Sequence, residues 1–200
     1  MRFYLFALLL LAAPAFASWT HAYTYNQRAA PAVTIPLAGA TATVAFSPNG
    51  DGTRIIVKAI RQAKHRILVQ AYGFTSRPIE RALVQAEKRG VVVEAVFDKS
   101  TFSERYSEAD VGALMEHGVP MWEDWSPAIA HNKVMVIDGG TVITGSFNFT
   151  KAAQKDNAEN VIIITGSPAL AHVYATDWRW RRGLSIPFDD QAKAWKTGRR

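Results

Sequence analysis

Residues 131–149 read HNKVMVIDGGTVITGSFNF. Two apolar strands flank Gly139-Gly140, a dipeptide suited to a two-residue hairpin turn. Such a turn pairs Asp138 with Thr141, which sets Lys133 opposite Ser146 and His131 opposite Asn148. Because side chains alternate along a strand, this register predicts that all four polar residues share one face at the open end of the hairpin. Opposed Cβ atoms lie about 4.5–5.5 Å apart, a spacing that lets the four surround one phosphate group. Imidazole can attack phosphorus or pass a proton near neutral pH, and an ammonium with neutral amide and hydroxyl donors can hold oxygens on which charge builds. Asp138, beside the turn, points by the same alternation away from His131 and reads as structural.

Outward from the hairpin, strands and helices alternate. Residues 44–46 form a short strand before the turn Ser47-Pro48-Asn49-Gly50-Asp51-Gly52. Ile55, Ile56, Ala59, Ile60 and Ala63 recur at helical spacing. Strands are expected at 67–74, 91–97, 119–122 and 161–165, and helices at 79–89 and 109–117, stopped by Gly90 and Gly118. A last helix opens at Ser167-Pro168, with Leu170, Val173, Tyr174 and Trp178 in its stripe. Strands apolar on both faces and separated by helices imply an α/β fold, a mixed sheet sandwiched between helices. No internal repeat accompanies the hairpin motif.

The 200 residues contain no cysteine, 48% apolar residues, and 23 Lys and Arg against 17 Asp and Glu, for a net charge of +6. That composition excludes low-complexity disorder, and the missing cysteines exclude disulfides, thiolate metal sites and a cysteine nucleophile. The positive balance favours an anionic partner such as nucleic acid or a lipid headgroup. At the N-terminus Arg2 precedes an apolar run and then Ala15-Phe16-Ala17, so residues 1–17 read as a secretory signal peptide cleaved after Ala17. The run falls short of the ~20 residues of a spanning helix. The destination is then the periplasm or the medium, the alternative being retention of the segment as an anchor. Residues 18–41 read as an extended mature N-terminus, and 42–200 as one catalytic domain.

His131, Lys133, Asp138, Gly145, Ser146 and Asn148 meet, residue for residue, the signature H-x-K-x4-D-x6-G-S-x-N, and on them the chain resembles the phospholipase D superfamily. It is more closely similar to the small bacterial Nuc-type endonucleases. That likeness runs from Phe46-Ser47-Pro48 through Tyr72-Gly73-Phe74-Thr75 and Lys88-Arg89-Gly90-Val91 to Thr144–Ala153 and Asn157-Ala158-Glu159-Asn160. The resemblance implies a phospholipase D-like fold, with His131 as the nucleophile of a phosphohistidine intermediate. It implies that Lys133 and Asn148 bind the phosphate, that Ser146 supports them, and that Glu159 hydrogen-bonds and orients the histidine. Gly145 and Asp138 fall to structural roles.

In-line displacement needs a nucleophile on one side of phosphorus and an acid on the other, and one motif supplies one such histidine. Relatives with a single motif pair two chains, so a homodimer is expected. No carboxylate or histidine cluster has metal-ligand spacing, and no cofactor is expected. The expected function is thus an exported, metal-independent phosphodiesterase, a non-specific endonuclease acting on DNA or RNA. The alternative is a phospholipase D acting on phosphatidylcholine-type membrane lipid. A catalytically silent nucleic-acid binder is disfavoured by the intact motif. Lys151 and Lys155, just past the motif, are candidate substrate contacts. So are Arg181 and Arg182, in a tail where seven Lys and Arg stand against three Asp over residues 171–200, interleaved with Trp178, Trp180 and Trp195.

Overall fold

An eight-stranded mixed sheet organises the computed structural model, which describes residues 32–102 and 111–188. The expected signal peptide, the start of the extended N-terminus, Trp195 and the first part of the 109–117 helix lie outside the described residues. The elements are β1 (Thr41–Ser47), α1 (Gly52–Gln62), β2 (Arg66–Ala71), α2 (Arg77–Lys88), β3 (Val92–Asp98), α3 (Gly112–Glu116) and β4 (Met121–Asp124). They continue with β5 (Lys133–Ile137), β6 (Thr141–Gly145), α4 (Lys151–Lys155), β7 (Glu159–Thr165), α5 (Pro168–Leu184) and β8 (Ile186–Pro187). Across the sheet the order is β1-β7-β6-β5-β2-β3-β4-β8. β2, β3 and β4 run parallel, as strand-helix-strand crossovers require, and the remaining pairs are antiparallel.

Two apolar layers cover the faces. On one, Ile55, Ile56 and Ile60 of α1 and Ile79, Leu83 and Ala86 of α2 meet Ile67, Val69, Met135 and Ile143 of the sheet. On the other, Ala171, Ala175 and Trp178 of α5 meet Leu68, Val96, Val134, Val136 and Val142. Odd and even positions of the central strands thus divide between the layers, the pattern of strands buried on both sides. Gly90, at φ +86°, ends α2 in the left-handed conformation that suits glycine. Ser167 accepts the Leu170 N–H at 3.4 Å and so opens α5 in front of Pro168.

Several expectations shift. β2 ends at Ala71 and not at residue 74, because the next residues bond to the segments flanking the hairpin, Tyr72 N–H to Asn132 O and Thr75 and Ser76 N–H to Phe149 O. Val173 is exposed and lies off the α5 stripe. The hairpin connection is Asp138-Gly139-Gly140, three residues, with Ile137 opposite Thr141. Asp138 and Gly139 hold φ of +52° and +64°, and Gly140 N–H closes on Ile137 O. Asp138 leaves the ladder because its carboxylate accepts the backbone N–H groups of Lys64, His65 and Arg66 at 2.8–2.9 Å. Burial alone would raise its pKa; those amides, with the nearby His65, hold it below the usual carboxylate value.

Candidate active site

The three-residue connection moves the register by one, so Lys133 and Ser146 do not stand opposite each other as the two-residue turn implies. Met135 and Ile143 pair directly, and Phe147 and Phe149 continue on the α1 side, each 1% exposed. Ser146 and Asn148 follow Gly145, beyond the end of β6, so strand alternation does not set their direction. What His131, Lys133, Ser146, Asn148 and Glu159 share is one end of the sheet. β5 and β7 begin there, β2 and β6 finish there, and the residues stand at or just past those ends.

Gly145 makes the exit from β6 possible. Its φ is +147°, and a Cβ there would lie 2.3 Å from Asn160 O, so only glycine fits between β6 and β7. The chain beyond it is fixed by Phe147, whose N–H donates to Asn160 O and whose ring packs against Gly52.

At the sheet end, Lys133 is 6% exposed, and its ammonium donates to His131 O at 2.8 Å. Burial lowers its pKa, and the carboxylate of Glu159 opposes that shift. Tyr72, in the segment that leaves β2, packs its ring on the His131 imidazole at 4.7 Å between centroids. The Lys133 ammonium lies over the same ring at 5.2 Å. His131 itself is exposed and so open to a substrate. Ser146 Oγ accepts both the N–H and the Nδ2 of Asn160, at 3.0 and 3.3 Å, which occupies its acceptor sites and leaves its proton to donate. Asn148 lies beside Gly73, and its Oδ1 is buried without a hydrogen-bond partner among the described residues. A half-turn of that amide presents an NH2 donor in the same place.

The hydrogen bond from Glu159 to His131 that the resemblance implies is not formed. Glu159 accepts from Asn157 Nδ2 at 3.3 Å, and its influence reaches the site through Lys133. Sequence reasoning also passed over two residues that build the site. Tyr72 joins the histidine and lysine on one aromatic face. Asp98, 2% exposed at the end of β3, accepts the Ala130 N–H at 2.6 Å and so fixes the residue before His131. An acidic residue closing an apolar strand at the carboxyl edge of the sheet was the available signal.

The flanking basic residues separate. Lys151 and Lys155 are exposed on α4. Arg181 is not free for substrate: its side chain is 17% exposed and reaches the fully buried Asp124 at 3.5 Å. Arg182 is exposed and lies 4.3 Å over the Trp122 ring. Trp178 is core, 2% exposed, with Nε1 donating to Val69 O at 2.8 Å, so it is no stacking platform for bases. Among the described residues no group of three or more His, Asp or Glu is placed to hold a metal ion, and no helix is long and apolar enough to cross a membrane.

The family profile described as "Cardiolipin synthase, PLD-like domain" matches residues 56–180. A protein named phospholipase D from Rickettsia typhi is 42% identical over 137 residues, covering 68% of this chain and 66% of that one. A mitochondrial cardiolipin hydrolase from Danio rerio is 31% identical over 134 residues, 66% of this chain and 58% of its own length. Among solved structures, the phospholipase D family member Nuc from Salmonella typhimurium superposes with a TM-score of 0.72 at 38% identity, over 74% of this chain and 98% of that one. The motif, the sheet that carries it and these likenesses together establish that the chain belongs to the phospholipase D family.

Proposed function

We propose that the chain is an exported, metal-independent phosphodiesterase whose substrate is nucleic acid, DNA or RNA, and that it works as a homodimer. The observation that carries the reading is the gathering of His131, Lys133, Ser146, Asn148 and Glu159 at one sheet end, on a chain similar to Nuc over nearly all of that protein. His131 attacks phosphorus through a ring nitrogen and forms a P–N bond as the P–O bond to the leaving group breaks. The leaving oxygen takes a proton from the partner subunit's His131. That histidine then accepts a proton from water as the water attacks phosphorus, breaking the P–N bond and restoring both histidines. Lys133, Asn148 and the free proton of Ser146 hold the non-bridging oxygens while charge accumulates on them.

A second reading has its own support. Trp125 and Ile129, 45% and 55% exposed, lie on the segment that leads into His131, where apolar side chains can enter a lipid surface. The rickettsial and fish relatives carry lipid-hydrolase names. The same residues then cleave the headgroup ester of a membrane phospholipid. Plasmid DNA, RNA and vesicles of phosphatidylcholine or cardiolipin, each incubated with EDTA and either the wild type or His131→Ala, decide between them. Cleavage of nucleic acid by the wild type alone is the expected result. Lipid turnover without nucleic-acid cleavage replaces the substrate, and wild-type rates in the variant remove the mechanism.

A further inference from the structure

An open groove of about 570 Å³ runs beside α1, lined in part by Arg54, Lys58, Arg61, Pro78, Gln154 and Lys155. The apolar side of α1 is buried through Ile55, Ile56 and Ile60. Arg54, Lys58 and Arg61 follow at i, i+4 and i+7, which makes one stripe along the helix. At 1.5 Å rise per residue the stripe is about 10 Å long, comparable to about three successive phosphates of one strand along a duplex axis. Arg54 is partly neutralised by Asp51 at 2.6 Å. The other ion pairs among the described residues involve Arg66, Arg77 and Arg181, so Lys58, Arg61 and Lys155 carry uncompensated charge into the groove.

The wall opposite the stripe is built in advance. Gln154 Nε2 donates to Gly50 O at 2.7 Å, its Oε1 accepts the Thr53 N–H at 2.8 Å, and its carbonyl accepts the Asn49 N–H at 2.8 Å. These bonds lock α4 against the entry to α1 and hold Lys155 beside the stripe, so little ordering remains to be done on binding. The groove also connects to the site. α4 begins three residues after Asn148, and β1, which feeds the turn at Asn49 and Gly50, ends at Ser47 opposite Glu159.

We infer that this groove is an exosite for the sugar–phosphate backbone of a nucleic-acid strand extending from the catalytic end. The inference rests on the nucleic-acid reading above and deepens it. A single phosphate meets one or two of these cations, whereas a continuous backbone meets the whole stripe. A membrane is the poorer match, since none of the exposed large apolar side chains among the described residues lines the groove.

The test uses the full chain with Lys58→Gln and Arg61→Gln together, both exposed positions whose side chains make no hydrogen bond among the described residues. In a His131→Ala background, binding of a fluorescein-labelled 30-nucleotide single strand is followed by anisotropy from 50 to 300 mM salt. The pair of changes is expected to weaken binding about 10-fold and to reduce the salt slope by about 1.4, two contacts at ~0.7 each on a single strand. With His131 intact, turnover of bis(p-nitrophenyl) phosphate stays within about twofold of wild type, because a substrate that small does not reach the groove. Unchanged affinity and salt slope for the 30-mer overturn the exosite while nucleic-acid cleavage by the wild type persists. Loss of binding to phosphatidylglycerol vesicles with oligonucleotide binding intact also overturns it, in favour of a membrane surface. Failure of the wild type to cleave any nucleic acid while it hydrolyses the small diester overturns the substrate reading instead.

Discussion

Lys133 Nζ rests 5.2 Å over the centroid of the Tyr72 ring, and that ring also meets the His131 imidazole at 4.7 Å. The aromatic face therefore meets both motif residues to which the proposed mechanism gives the most chemistry. Tyr72 reaches this place because β2 ends one residue earlier and Tyr72 N–H bonds to Asn132 O, the residue between them.

Replacing the ring tests its share. An ammonium over an aromatic face is worth about 0.5–2 kcal/mol, so Tyr72→Leu is expected to lower kcat/KM for bis(p-nitrophenyl) phosphate about 2- to 30-fold. Tyr72→Phe keeps the face and should stay within about twofold. Equal losses in the two variants would show that the hydroxyl, and not the face, matters.

In the proposed mechanism Lys133 should also set the alkaline limit. Burial disfavours its charged form and lowers its pKa, while Glu159 pulls the other way. The ammonium, which holds the phosphate in the proposed mechanism, is thus lost at a lower pH than from a solvated lysine, and kcat/KM, which reports the free enzyme, should decline below the ordinary lysine range. Removing the opposing carboxylate lowers the lysine pKa further, so Glu159→Gln should move the alkaline limb to lower pH. Lys133→Arg should remove that limb, because guanidinium stays charged. An alkaline limb that Glu159→Gln leaves in place would separate Glu159 from Lys133.

Much of this architecture was legible in the chain. The helical stripes of α1 and α2 carry isoleucine, leucine and alanine at matching spacing, and the doubly apolar strands announce a sheet covered on both sides. The site residues were legible as types and as a set, because the hairpin brings distant numbers to neighbouring strands. Their geometry was not. Register depends on one residue of turn length, and Asp138 is drawn from the ladder by amides some seventy positions away, which no local pattern encodes. Tyr72 and Asp98 escaped for the same reason, since their partners at 130–133 are remote in sequence. Arg181 showed its charge in the sequence but not its partner, Asp124.

The amide cluster around Asp138 is a stability element that should leave chemistry alone. Loss of a carboxylate accepting backbone N–H groups costs about 0.5–2 kcal/mol at helix caps, and Asp138 accepts three such bonds at φ +52°. Asp138→Ala should therefore destabilise by about 1–2 kcal/mol in urea unfolding, with kcat unchanged in the folded fraction. The Asp138 pKa is lowered on folding, so its contribution is complete above the ordinary carboxylate pKa of 3.8 and is lost as pH falls through the depressed value. The difference between wild type and variant should accordingly shrink in acid. A gap constant down to pH 2 would locate the effect in the backbone alone.

Gly145 and Gly139 form a matched comparison. Both have positive φ, but a Cβ at Gly139 meets nothing within 4 Å, whereas at Gly145 it runs into Asn160 O. Gly139→Ala should lose only the conformational term, about 1–2 kcal/mol. Gly145→Ala adds a backbone collision that parts β6 from β7 and shifts Ser146 from Asn160, so it should cost about 3 kcal/mol or more and lower turnover at least tenfold. Urea midpoints and activity on the small diester measure both. Similar losses at the two positions would show that the sheet relaxes around residue 145.

The dimer is tested by mixing. If each catalytic centre uses the His131 of both subunits, a dimer with one His131→Ala chain lacks either the nucleophile or the proton donor. Wild type and variant, unfolded together and refolded at fixed total concentration, then give activity that follows the square of the wild-type fraction. Half wild-type chains leave one quarter of the activity. Independent subunits give a straight line and leave one half. Sedimentation of the wild type should show a single species of twice the chain mass across the assay range, and a fully active monomer would place the second proton donor within the same chain.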